Sequence, residues 1–239
     1  MTIQPVMSQR PQALGAAGLH AQRTFDILVA GAAIVLLAPL MALVAVALLL
    51  EDGPPILFAQ TRVGARGRPF RMYKFRKFRP DCGSDGCPLT LDGDSRLTRT
   101  GRFLTATKID ELPQLWNVLR GEMSIVGPRP ESLDFASCFC GGFEEILQYK
   151  PGLIGPSQVA FRNERQFYPR DQDPTQFYRD ILFPAKARLD LAYFSRRTVA
   201  ADIAWMIRGV LAVLGWIPPI GADLAKSDRH QSGWGSRTA

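Results

Sequence analysis

Two adjacent acidic residues, Asp110 and Glu111, stand where the sequence predicts the start of a short helix. Apolar residues recur downstream at helical spacing, Pro113 is tolerated only in a first turn, and Gly121 can end the run. A helix start presents free backbone N–H groups and a partial positive charge, which keep a carboxylate ionised and attract phosphate. One carboxylate could therefore attack phosphorus while its neighbour holds a divalent cation. The structural alternative is an N-cap Asp followed by a first-turn Glu.

Three further segments carry basic residues in settings that suit anion binding. An alternation of apolar and basic side chains predicts a half-buried strand with Lys74 and Arg76 on one face. Two prolines flank Arg129 and restrict the direction of its guanidinium group, while a Gly/Pro loop leads to Arg162. There is no Walker lysine motif and no Gly-x-Gly-x-x-Gly. We therefore predict phosphate contacts for these four cations, with structural or lipid contacts as the alternative for each.

An uncharged apolar run of 24 residues, 27–50, has the length of a membrane segment. Pro39 divides it into halves that are each too short to cross a hydrocarbon core of about 30 Å. The segment either kinks and crosses once or breaks at Pro39 and returns to the face that it entered. Positive charge on both flanks slightly favours the return, and both paths remain open at this point.

The composition indicates an enzyme that lies at a membrane surface. The chain has 239 residues and a formal net charge of +7, and residues 60–79 contribute eight basic side chains and no acidic one. Anionic lipid would attract this segment. A second apolar segment, 199–214, is interrupted by few polar residues and predicts either an interfacial helix or a buried core helix.

Several ordered motifs closely resemble the bacterial sugar transferases, which are monotopic phosphoglycosyl transferases, and the chain matches their minimal short form. The resemblance runs from about residue 23 to residue 214. It rests on residues 56–64, 73–76, 98–104, 110–119, 123–131 and 150–152.

The resemblance implies transfer of a sugar-1-phosphate from a nucleotide diphosphate sugar, usually a UDP-sugar, to a polyprenyl phosphate such as undecaprenyl phosphate. This would be the first membrane step of exopolysaccharide, capsule, O-antigen or glycoprotein glycan synthesis. Asp110 matches the family's nucleophile, which forms a covalent phosphosugar intermediate and releases UMP. Glu111 matches the ligand of Mg²⁺. A homodimer is also open, since dimers occur among relatives.

The resemblance also implies a location and a path for the apolar segment. It places the protein at the bacterial cytoplasmic membrane, as a monotopic protein with its catalytic domain on the cytoplasmic face. The expected segment is a re-entrant helix broken at Pro39. Ala38 departs from the Ser that often precedes this proline, and Lys77-Phe78 and Pro156 also depart from the common pattern. These departures concern membrane geometry and substrate detail, not the reaction.

We therefore expect an α/β fold that is mostly helical with little sheet. A flexible N-terminus (1–22) precedes the re-entrant membrane helix (23–52). A cytoplasmic catalytic domain with interfacial amphipathic helices (53–222) and a disordered tail (223–239) follow. The alternative functions are a non-catalytic basic membrane scaffold and a nucleic-acid binder. The apolar run argues against the second, so we expect no nucleic-acid partner.

Overall fold

A computed structural model of the protein describes residues 16–80, 82, 89–169 and 171–217, and helices dominate these ranges. The mostly helical fold with little sheet is confirmed. The predictions for residues 1–15 and for the tail 223–239 lie outside the described residues. The helices are α1 (Ala16–Asp52), α2 (Arg99–Thr107), α3 (Gln114–Arg120), α4 (Pro156–Ala160), α5 (Pro174–Phe177), α6 (Phe183–Phe194) and α7 (Val199–Val213).

The described strands form two small sheets. β1 (Leu57–Val63) pairs antiparallel with β2 (Pro69–Phe75), and β3 (Ser124–Val126) pairs parallel with β4 (Gly152–Ile154). The predicted alternating strand is therefore β2. It contains Lys74 and ends one residue before Arg76, and both side chains are buried.

The apolar run forms most of α1, a helix long and apolar enough by length and composition to cross a membrane. The helix begins at Ala16, earlier than the boundary predicted at residue 23. It also continues through Pro39, where the family resemblance implied a break. A proline removes one backbone donor, and the hydrogen bonds on either side of it can still maintain a long helix. The re-entrant path stays a prediction.

Both ends of α1 contact the rest of the protein. Near its start, the carboxylate of Asp26 accepts hydrogen bonds from the Ser124 hydroxyl (2.9 Å) and the Ile125 N–H (2.8 Å). Near its end, the Glu51 carboxylate accepts from the Arg99 N–H at 2.8 Å. Between them an apolar flank is open, with Val35 and Leu36 among its exposed side chains. Few residues of this helix are buried, so most of its apolar surface has no partner within the described protein.

Two hydrophobic clusters enclose the segment that carries the acidic pair. One joins the first half of α1 to α3 and β3, through Ala30, Leu115, Val118 and Ile125. The other joins the second half of α1 to α2, through Val44, Leu48, Phe75 and Leu104. Leu112, directly after the acidic pair, packs against both clusters. The position of the pair therefore depends on the docking of α1, α2 and α3.

The α7 helix is amphipathic, as its sequence predicted. Asp202, Gly209 and Ala212 are buried, whereas Ile207 and Val210 are each 51% exposed. One face therefore packs on the protein while an apolar face is open. The interfacial position of this helix stays a prediction.

Candidate active site

The acidic pair lies in a tight connection between α2 and α3. Lys108 ends α2 in the left-handed conformation, with φ 61° and ψ 13°. A 3₁₀ turn over Ile109–Glu111 follows, closed by a hydrogen bond from the Glu111 N–H to the Lys108 carbonyl (3.1 Å). The sequence placed the pair at the first residues of α3, and the structure corrects this. The carboxylates belong to a separate turn, and α3 begins afterwards at Gln114.

Asp110 presents a buried carboxylate oxygen without a hydrogen-bond partner. The residue is 3% exposed, and its Oδ1 accepts no hydrogen bond in the described structure. Burial raises the pKa of Asp110, and the positive charge of Lys74 only partly opposes this effect. A desolvated oxygen with free lone pairs suits a nucleophile or a ligand for a cation.

Glu111 is held as a carboxylate by two cations. Its Oε1 lies 2.9 Å from the Lys74 Nζ and 3.8 Å from an Nη of Arg129. Burial alone would raise the pKa of Glu111. The positive charges of Lys74, Arg129 and Lys108 outweigh burial and hold this pKa well below its usual range. The two adjacent acids are both buried, but their pKa values shift in opposite directions, because the nearby cations outweigh burial only at Glu111.

Arg129 connects the acidic pair to a second buried polar group. Burial opposes its charge, but the carboxylates of Glu111, Glu164 and Glu131 outweigh that effect and raise the pKa of Arg129. Glu164 accepts in turn from the Lys186 Nζ at 2.5 Å, and Lys186 belongs to α6. The guanidinium group is therefore held among acids from several elements and stays charged.

Asn117 fixes the position of α3 relative to β2. Its side-chain oxygen accepts from the Tyr73 N–H at 3.1 Å, and its Nδ2 donates to the Arg71 carbonyl at 2.7 Å. The side chain thus bonds to the backbone of β2 next to Lys74. This contact accounts for the alignment of Lys74 with Glu111, which lies 37 residues away in the chain.

The other two predicted phosphate ligands bind the ends of helices. The guanidinium of Arg76 donates to the carbonyls of Gly53 (2.8 Å) and Leu48 (3.3 Å), at the end of α1. The guanidinium of Arg162 donates to the carbonyls of Ala212 and Val213 at the end of α7. Cations at these positions satisfy carbonyls that have no partner within the helix. The structure therefore brings Lys74 and Arg129, but not Arg76 and Arg162, to the acidic pair, and phosphate contact stays a prediction for all four.

Two further lysines near the pair were not singled out from the sequence. Lys108 lies two residues before Asp110, and burial lowers the pKa of Lys108. Burial, together with the like charge of Lys74, lowers the pKa of Lys77 to about 7. The sequence did mark Lys77 as unusual, because Lys77-Phe78 departs from the common pattern of the family. No local sequence pattern marked Lys108 as half-buried.

A cationic cavity of about 530 Å³ opens beside Lys74. Asp134 is the only acidic side chain among the described residues of its wall. An anionic molecule would therefore find a favourable potential here. The basic side chains of the wall are Arg62, Lys74, Arg76, Lys77, Arg79 and Arg96.

The acidic pair also fits one kind of Mg²⁺ site. Within the described residues there is no group of three or more His, Cys, Asp or Glu side chains that could enclose a metal. Proteins that bind Mg²⁺ with substrate phosphates commonly supply only one or two carboxylates. Glu111 and the unpartnered oxygen of Asp110 suit such a site, in which substrate and water complete the coordination.

The fold and the site define a class of protein with a long apolar helix and a buried carboxylate pair beside a cationic cavity. A family model described as bacterial sugar transferase matches residues 18–216. The chain belongs to this family, which confirms the resemblance seen in its motifs.

Individual relatives agree with this assignment. The UDP-N-acetylgalactosamine-undecaprenyl-phosphate N-acetylgalactosaminephosphotransferase of Aeromonas hydrophila is 36% identical over 199 residues, or 81% of this chain and 43% of that protein. The UDP-glucose:undecaprenyl-phosphate glucose-1-phosphate transferase of Caulobacter vibrioides is 45% identical over 143 residues, or 58% of this chain and 53% of that protein. The exopolysaccharide production protein PSS of Rhizobium leguminosarum bv. phaseoli is 36% identical over 207 residues, or 81% of this chain and 94% of that protein. The chain thus spans about half of the first two relatives and nearly all of the third.

Proposed function

We propose that the protein transfers a sugar-1-phosphate from a nucleotide diphosphate sugar, a UDP-sugar, to a polyprenyl phosphate. The observation that carries this proposal is the buried, unpartnered Oδ1 of Asp110 beside the ionised Glu111. Relatives named for transfer of sugar phosphates to undecaprenyl phosphate support the choice of substrates. These relatives are named for different sugars, so a panel of nucleotide sugar donors is needed to identify the sugar that is transferred.

The proposed reaction has two displacements at one phosphorus atom. A carboxylate oxygen of Asp110 attacks the sugar-linked phosphorus, the bond to the bridging oxygen breaks, and UMP leaves with the electron pair. The product is an acyl phosphate between Asp110 and the sugar phosphate. An oxygen of the polyprenyl phosphate then attacks the same phosphorus and frees the Asp110 carboxylate. Covalent catalysis lets a soluble donor and a lipid acceptor use the same site in turn.

The main electrostatic difficulty is that an anionic carboxylate approaches an anionic diphosphate. Lys74 and Arg129 lie beside the acidic pair and supply fixed positive charge. Fixed cations in a site of low dielectric can stabilise the charge that develops in the transition state. The raised pKa of Asp110 indicates that the ion is poorly solvated, which makes the carboxylate more nucleophilic once substrate binds.

Magnesium is proposed as the cofactor, with Glu111 as its protein ligand. When bound, Mg²⁺ would supply a Lewis acid that neutralises part of the diphosphate charge. Lys74 and Arg129 keep Glu111 ionised and therefore able to bind a metal at neutral pH. Lys74 and Arg129 also compete with a metal for Glu111. We therefore expect at least one of these two cations to move when metal and donor bind.

We also propose that α1 anchors the protein at the cytoplasmic face of the inner membrane as a re-entrant, monotopic helix. Contacts from both ends of α1 to the same protein body support this path, because a crossing helix would place its ends on opposite faces. The exposed basic side chains of the β1–β2 hairpin are proposed to contact anionic lipid. They include Arg66, Arg68 and Arg71.

The decisive experiment compares Asp110→Asn with the wild type in a donor panel, with release of nucleoside monophosphate as the readout. We expect the variant to lose at least about 10³-fold in rate, because an amide cannot replace the nucleophile. Mass spectrometry of the wild type with donor alone should find a phosphosugar adduct on Asp110. Asp92→Asn, at an exposed acidic residue, is the matched control and should keep full activity.

Full activity of Asp110→Asn would refute the proposed nucleophile. No turnover by the wild type with any donor, together with retained binding to liposomes, would instead favour the basic membrane scaffold.

A further inference from the structure

Lys77 lies in the wall of the cationic cavity, two residues after the end of β2. Its backbone is held firmly by the start of α2. The Lys77 carbonyl accepts from the Thr98 N–H at 3.0 Å, and α2 packs so closely that a Cβ at Gly101 would overlap this carbonyl. The backbone of Lys77 is therefore fixed relative to the acidic pair, because α2 leads directly into the turn that carries the pair.

The ammonium group of Lys77 has no carboxylate partner among the described residues. Its Nζ donates to the Thr90 hydroxyl at 2.8 Å and lies 5.0 Å from the centre of the Phe78 ring. Lys74 differs, because its Nζ forms an ion pair with Glu111. A half-buried ammonium that bonds only to a neutral hydroxyl has a poorly balanced charge, which an anion in the cavity would balance.

The charges around Lys77 place it close to the reaction. Asp110 and Glu111 raise its pKa, whereas Lys74 and Lys108 lower it. The charged residues that share its cavity wall are Lys74, Asp134 and four arginines, namely Arg62, Arg76, Arg79 and Arg96. The anion that Lys77 meets therefore enters a site of mainly positive charge next to the acidic pair.

We propose that Lys77 is a donor-binding residue whose ammonium group binds the diphosphate of the nucleotide sugar. This inference rests on the proposed function and deepens it. No covalent step is assigned to Lys77. It donates hydrogen bonds to phosphate oxygens, and Thr90 holds the ammonium towards the cavity in the free protein.

The test uses the full chain in detergent or nanodiscs and compares Lys77→Met with Lys77→Arg. We expect Lys77→Met to raise the KM for the donor and the dissociation constant for UDP by about tenfold or more, since one charge-assisted hydrogen bond is lost. The turnover number should fall by a smaller factor, and Lys77→Arg should recover most of the affinity. Arg196→Met, which removes an exposed cation outside this cavity, is the matched control and should leave both constants unchanged.

Thr90→Val supplies a second variant in which the charge of Lys77 is kept. It should weaken UDP binding by a smaller factor than Lys77→Met, because the ammonium group loses the hydrogen bond to Thr90 but keeps its charge. This variant, with Lys77→Arg, tests the proposal even if Lys77→Met does not fold.

The pH dependence of UDP binding is a readout that a purely structural lysine would not change. Only the protonated form of Lys77 binds an anion well, and its pKa lies at about 7 in the free protein. UDP affinity of the wild type should therefore fall as the pH rises through 7. This fall should be weaker in Lys77→Met and in Lys77→Arg, whose guanidinium keeps its charge.

The outcomes separate this inference from the proposed function. A wild type that turns over donor, together with a Lys77→Met variant of unchanged KM and UDP affinity, would overturn the role of Lys77 alone. A wild type that binds UDP but turns over no donor would overturn the proposed reaction, and loss of UDP binding in Lys77→Met would still support Lys77. A wild type that neither binds UDP nor turns over donor would overturn both.

Discussion

The cations of the acidic-pair region and those at the helix ends have different partners. Beside the pair, Lys74 and Arg129 face the Glu111 carboxylate. At the helix ends, guanidinium groups donate to backbone carbonyls. Arg76 does so at the end of α1, and Arg162 at the end of α7.

Arg23 extends the second group, because it donates to the last carbonyls of α3, Val118 and Leu119, at 2.6 Å each. A cation that meets a carboxylate next to an unpartnered acid determines the charge available for chemistry. A cation that meets the last carbonyls of a helix connects that helix to the protein body. Residue type alone does not separate the two roles, so variants at both kinds of position should separate activity from stability.

Among variants of Glu111 and of the surrounding cations, the largest effect is expected for Glu111→Gln. The change removes the proposed metal ligand and leaves Lys74 and Arg129 without their shared carboxylate. Release of nucleoside monophosphate should fall by about 10²- to 10³-fold. Glu144→Gln, at an exposed acid, should leave the rate unchanged. Wild-type rates in Glu111→Gln would show that the Glu111 carboxylate takes no part in the reaction.

A smaller effect on activity is expected for Arg129→Lys, which keeps the charge and removes the guanidinium fork. We expect a loss of about tenfold or more in kcat/KM, because lysine cannot reproduce the planar donor geometry. Thermal melting should change little, since a cation still faces the surrounding acids. A large drop in Tm at unchanged activity would instead place Arg129 with the helix-end cations.

The opposite pattern is expected for Arg76→Gln. The free energy of unfolding should fall by about 1–3 kcal/mol, because the bonds to the carbonyls of Gly53 and Leu48 are lost. Activity per folded molecule should stay close to that of the wild type. Denaturant unfolding and initial rates on the same preparation measure both quantities. A lost rate at full stability would show that Arg76 binds phosphate, as its sequence position predicted.

The smallest effect is a shift of the acid limb of the rate profile in Lys74→Met. Asp110 must be ionised to attack, and burial raises its pKa while Lys74 opposes that rise. The rate of the wild type should therefore fall as the pH decreases through the raised pKa. Removal of Lys74 should move this fall to higher pH. An acid limb that does not move would show that Lys74 has no electrostatic contact with the nucleophile.

Much of the molecule could be predicted from local patterns. Period-two alternation identified β2, and the uncharged run identified α1, because strand and helix periodicities depend on neighbours within a few residues. The acidic pair was singled out because the residues that follow it predict a helix start. The resemblance of its motif to the family implied its chemical role. The error of one turn in its position arose because the left-handed Lys108 ends α2 and a separate 3₁₀ turn, Ile109–Glu111, carries the pair before α3 begins.

The partners of the cations could not be predicted in this way. Lys74 reaches Glu111 across 37 residues because Asn117 fixes α3 to β2. Arg76 bonds to the end of α1 because α1 docks beside β2 through the Phe75 and Leu48 contacts. Among the residues that the structure describes, the tertiary structure gives the Lys77 ammonium group the hydroxyl of Thr90, 13 residues away in the chain, and no carboxylate.

The sequence by itself determined the helical character, the membrane-length segment and the identity of the acidic pair, since these depend on short-range propensity and motif. Only the tertiary structure decided which cations meet that pair and which cap helices, and that α1 continues as a helix through Pro39. The physical reason is that the pKa and the partners of a side chain depend on burial and on charges from distant segments, which local sequence does not encode.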